Sequence, residues 1–94
     1  MKANEILDRA SRVIGQRSEI HGGIVPTFSA IAALLTTYLR HRRDPDAPVS
    51  QSDAAKMMVL LKIARSENGA LNPDDYVDMC GYAAIAGELE GMGL

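Results

Sequence analysis

Apolar residues recur at helical spacing in four stretches of this chain. Nowhere do they alternate with polar residues over more than a few positions, as a half-buried strand requires. That regularity restricts the chain to helices packed on helices. Over residues 3–14, Ile6, Leu7, Ala10, Val13 and Ile14 share one face, opposite Glu5, Asp8, Arg9 and Arg12. Asn4 is placed to cap this helix and Gly15 to end it. Residues 16–26 then read as a loop, because Gly22-Gly23 loosens the backbone and Pro26 disfavours helix at Val25. A second helix is expected over 27–40, with Phe28, Ile31, Leu34, Leu35 and Tyr38 on a wide apolar stripe. The segment Asp44-Pro45-Asp46-Ala47-Pro48 breaks it.

Ser50 and Asp53 form a capping box for the third helix. From 54 to 64 that helix is apolar almost all round, interrupted only by Lys56 and Lys62, so it is the element the others should surround. Asn68-Gly69 stops it. Asn72-Pro73-Asp74-Asp75 opens a fourth helix with a cap, a proline suited to the first turn, and acids at the positive helix end. This helix is expected to reach Glu90, with the last four residues fraying. The reading is an all-α, compact bundle of four helices in a single domain over 1–94, its last two helices forming an antiparallel hairpin.

Composition limits the function. Lys and Arg number 10 against 12 Asp and Glu, a net charge of −2, so no basic surface exists for non-specific nucleic-acid binding. The longest apolar runs fall far short of the ~20 residues that span a bilayer. A single cysteine, Cys80, excludes an intramolecular disulfide and reads as a small core residue. No leader segment is expected at the start of the chain, which points to the cytoplasm. So short a chain with this much apolar surface also suggests a homo-oligomer.

The chemistry concentrates in the second half. Lys62 and Arg65 lie three apart near the end of the third helix, and Asp75, Asp78 and Tyr82 follow at spacings of three and four on the fourth. A hairpin brings these sets together. Asp78 is flanked by Val77, Met79 and Cys80, and a carboxylate among apolar neighbours needs a partner. Such a cluster is either an ion-pair lock for the hairpin or a pocket for a small anionic ligand such as a nucleotide. Arg17 and His21, in the expected glycine loop, are further ligand candidates. A third arrangement pairs Glu5 and Asp8 with Asp75 and Asp78 around Mg²⁺, which favours oxygen ligands.

The stretch Arg17 through His21-Gly22 to Phe28-Ser29-Ala30-Ile31-Ala32-Ala33-Leu34 resembles a small family of phage and prophage helical proteins of unassigned function. The likeness continues through Lys56-Met57-Met58-Val59-Leu60-Leu61-Lys62-Ile63-Ala64-Arg65 and Asp75-Tyr76-Val77-Asp78-Met79-Cys80-Gly81-Tyr82-Ala83-Ala84, most of the chain. It implies a phage-encoded or prophage-encoded cytoplasmic protein and no particular reaction. Asp75-Tyr76-Val77-Asp78, followed by Gly81-Tyr82-Ala83, also looks like the later acidic helix of MazG-like all-α nucleoside triphosphate pyrophosphatases. Their earlier acidic pair has no counterpart over 27–40, where no acid occurs.

The residues favour a non-enzymatic, self-associating module that takes a small anionic ligand and needs no cofactor. Arg17, His21, Lys62, Arg65, Asp78 and Tyr82 are its candidate ligand groups. Two alternatives stand beside it: a Mg²⁺-dependent pyrophosphatase using Glu5, Asp8, Asp75 and Asp78, and a pure protein–protein adaptor.

Overall fold

In a computed structural model the chain forms four helices: α1 (Ala3–His21), α2 (Ile24–Arg40), α3 (Gln51–Ser66) and α4 (Pro73–Gly91). The structure describes the backbone of every residue except Gly22 and the side chains of all residues outside 17–22. No strand occurs among the described residues.

α3 and α4 pack most closely, and α2 lies against α3. Lys56 pairs with Glu90 and Lys62 with Asp78, so the two C-terminal helices run antiparallel. Small residues bring them together: Ala55, Ala64 and Ala86 are buried, with Ala64 only 2% exposed. Ile31 on α2 adds the one large buried apolar side chain among the described residues. As expected from its continuous apolar run, α3 has the fewest exposed positions of the four helices.

The caps follow the sequence closely. Ser50 Oγ accepts from the Asp53 N–H while the Asp53 carboxylate accepts from the Ser50 N–H, both at 3.0 Å. Asn72 accepts from the Asp74 N–H, and Pro73 occupies the first turn of α4. After α3, Gly69 takes φ +85°, the left-handed conformation that a helix end favours in glycine.

Four local expectations are corrected. α1 does not stop at Gly15 but continues to His21, because a glycine costs a helix only ~1 kcal/mol and breaks it only where the backbone must turn. The expected loop is correspondingly short, and α2 begins at Ile24. Pro26 fits there because first-turn N–H groups have no intrahelical acceptor to lose. Cys80 is exposed rather than packed in the core. The C-terminal residues are capped rather than frayed: Gly93 adopts φ +76°, Leu94 N–H donates to Leu89 O and Gly93 N–H to Glu90 O. That is a Schellman arrangement. Leu94 O in turn accepts from the Ser52 N–H, tying the end of α4 to the start of α3.

Candidate functional site

The hairpin places the expected cluster at its closed end. Lys62 Nζ lies 2.9 Å from the Asp78 carboxylate. The Lys62 side chain is 14% exposed and that of Asp78 43%, so the lysine stem is covered while the pair faces water. An ion pair of this exposure contributes about 1 kcal/mol or less. Arg65 and Asp75 each sit one turn nearer the α3–α4 connection than this pair. They do not form a second pair. The Arg65 guanidinium has neither an ion pair nor a hydrogen bond to any described residue. Asp75 is 1% exposed, and its Oδ2 has no hydrogen-bond partner among the described residues. Tyr82, half-buried, follows Asp78 by one turn.

Asp75, rather than Asp78, is therefore the carboxylate that lacks compensation. Val77 and Cys80 face outward, and Asp78 has in Lys62 the partner that its apolar neighbours in sequence called for. Asp75 reads in sequence as an ordinary first-turn acid, and the helix N-terminus does favour its charge. Its burial is a consequence of how the hairpin end is covered.

Arg17 and His21 belong to α1, and their side chains lie outside the described residues. Glu5 and Asp8 are exposed on α1. Among the described residues no three His, Cys, Asp or Glu side chains gather to hold a metal ion.

The other end of the bundle holds a polar knot that sequence reading passed over. Asp53 Oδ1 accepts from the Tyr38 hydroxyl at 2.6 Å, and Oδ2 accepts from Arg42 at 2.9 Å and from the Ser50 N–H. Arg42 also donates to Leu39 O, Pro45 O, Ala47 O and Pro48 O, at 2.8–3.4 Å. It stands in a basic run that looks solvated, yet its side chain is only 10% exposed. The signal was the pair of prolines nearby: a tight loop leaves carbonyls without N–H partners, and a guanidinium has five donors to offer.

The Ser50 N–H and the Tyr38 hydroxyl hold the Asp53 carboxyl well below the usual carboxylate range. Burial, and then the Asp53 hydrogen bond, push the Tyr38 phenol up to about 12. Beside the knot, the Lys56 ammonium holds the Glu90 carboxyl below its ordinary value. An apolar cavity of about 470 Å³ opens there between α2, α3 and α4, floored by Val59 and Leu60 and walled by Ala83, Ala86 and Gly87.

No helix of the described residues is long and apolar enough to cross a membrane. No solved structure matches the chain. Two phage proteins do: the Gene 55 protein of Mycobacterium phage D29 is 35% identical over 82 residues, 86% of this chain and 50% of that protein. The Gene 55 protein of Mycobacterium phage L5 is 34% identical over 86 residues, 90% of this chain and 52% of that protein. The chain thus spans about half the length of these relatives. Residues 5–90 match the family described as a domain of unknown function, DUF6378. On that coverage, the chain belongs to the DUF6378 family.

Proposed function

We propose that this chain is a phage or prophage accessory module that self-associates and binds a small anionic ligand, such as a nucleotide, at the closed end of the α3–α4 hairpin. The observation that carries this reading is Arg65. The guanidinium of half-buried Arg65, one turn from the Lys62–Asp78 pair and with no partner among the described residues, is a cation held ready for an anion. Lys62 and Tyr82 would add donors beside it. A structural lock would have closed the second pair, and Asp75 is placed by topology to do so.

Thermal melting with millimolar nucleotide tests the site. The nucleotide should raise the melting temperature of the wild type and leave Arg65→Ala unmoved. Because the Arg65 side chain makes no ion pair or hydrogen bond among the described residues, that variant should itself lose no more than about 0.5 kcal/mol. If neither a nucleotide nor any other anion stabilises the wild type, the ligand reading fails and the adaptor reading replaces it.

The buried Asp75 carboxylate favours a second reading, a Mg²⁺-dependent nucleoside triphosphate pyrophosphatase. Asp75 and Asp78 supply two carboxylates, and magnesium sites of this sort take one or two from the protein and the rest from substrate phosphates and water. Its marks are a nucleotide effect that requires Mg²⁺, release of pyrophosphate, and loss of both in Asp75→Asn.

A further inference from the structure

The surface of this chain is too large for a compact monomer. A folded protein of 10.1 kDa is expected to expose about 5,300 Å². This one exposes 6707 Å². Its radius of gyration is 15.5 Å, where about 12 Å is typical of a domain with 94 residues. The excess, on the order of 1,400 Å² per chain, would double in a two-fold pair to the range of obligate homodimers.

One helix stands out because none of its described length is covered. Every described side chain of α1 is exposed, including Ile6 at 52%, Leu7 at 66%, Val13 at 40% and Ile14 at 55%. These four flank Ala3 and Ala10 on a single helix face. A stripe of this kind pays the cost of exposed apolar area unless something covers it, and soluble monomers rarely leave such patches open.

The bundle also offers a matching groove. On α4, Tyr76, Cys80, Ala83 and Gly87 recur at i, i+4, i+7 and i+11 and are all exposed. Ala83 and Gly87 wall the apolar cavity, and a Cβ added at Gly87 would meet nothing within 4 Å. The large side chains of the α1 stripe complement in size the small ones on α4, and each helix has 19 residues. We infer that α1 of one copy lies in the groove between α2 and α4 of a second copy, and reciprocally, so that the dimer forms by exchange of α1. This assigns a surface to the self-association proposed above and rests on that reading.

Light scattering should give twice the 10.1 kDa chain mass for the wild type. Leu7→Glu and Ile14→Glu should each weaken the dimer at least tenfold, with helical content and the melting of the body retained, since neither side chain packs in it. To locate α1, Ala10→Cys and Gly87→Cys are made separately in a Cys80→Ser background and mixed under mild oxidation. A disulfide joining the two different chains is expected. A wild-type monomer overturns self-association altogether. A wild-type dimer that both glutamate variants leave intact overturns only the surface assigned here. Two further results reject the exchange: Ala10→Cys coupling to itself, which would mean α1 against α1, and a chain carrying both cysteines closing on itself, which would mean α1 folding back on its own body.

Discussion

Removing the Asp53 carboxylate should open the corner between α2 and α3. Three donors converge on it: the Tyr38 hydroxyl, Arg42 and the Ser50 N–H. The side chains of Arg42 and Asp53 are 10% and 14% exposed, so the pair stands much nearer the buried than the exposed limit. Breaking a fully buried pair from one side costs about 3–5 kcal/mol, and an exposed pair is worth about 0–1. Asp53→Ala also loses half of the α3 capping box, typically ~1 kcal/mol. Together these give about 3–5 kcal/mol for Asp53→Ala. Asp53→Asn should cost less, about 2 kcal/mol, because its amide oxygen can still accept from Arg42 and Ser50 while Tyr38 turns its hydroxyl to accept. Lys56→Ala, at a pair whose side chains are 42% and 49% exposed, should lose under 1 kcal/mol and serves as the comparison.

Urea denaturation at pH 7 measures all three, with an unchanged m-value showing that the denatured state is comparable. The pH dependence gives a second readout. The folded Asp53 carboxyl titrates below its unfolded value, so its contribution is complete above about pH 4 and is lost as pH falls through the folded value. Asp53→Asn should lack that part of the acid-side slope. If Asp53→Ala costs no more than Lys56→Ala and the acid slope is unchanged, the knot does not hold the corner and the reasoning is wrong.

Two other expectations concern the same body. Tyr38 should titrate at about 12 by its phenolate absorbance; since the folded value is raised, its share of stability is complete below about pH 10 and disappears as pH rises through 12, a loss that Tyr38→Phe should not show. Ala64, 2% exposed where α3 meets α4, has no room to grow, so Ala64→Leu should destabilise by about 1–3 kcal/mol in the same urea assay; a neutral result would place the tightest packing elsewhere.

Local chemistry accounts for the features that were legible in the residues. Capping is decided within four positions, so Ser50 with Asp53 and Asn72 with Pro73 marked the starts of α3 and α4 correctly. Helical periodicity and two loop prolines specified an all-α chain, and the short α3–α4 connection made the hairpin. The Lys62–Asp78 pair was also within reach of sequence, because antiparallel helices bring those positions together. Gly15 shows the limit of the same reasoning: propensity prices a glycine in a helix, but only the path of the backbone decides whether the helix ends there.

Tertiary structure decided everything that depends on which surface is covered. Asp75 and Asp78 sit on the same helix one turn apart, yet one is buried with an oxygen that has no partner among the described residues and the other is paired at the surface. Nothing in their neighbours announces that difference, since burial is set by segments distant in the chain. Arg42 stands in sequence beside Arg40 and Arg43 with nothing to set it apart, yet it holds a loop together, because orphaned carbonyls exist only once the loop has its shape. The apolar stripe of α1 was plain in the sequence, but a hydrophobic face states only that it needs cover. Geometry shows that the described residues leave it uncovered, because burial is a property of the whole packed surface and not of any one helix.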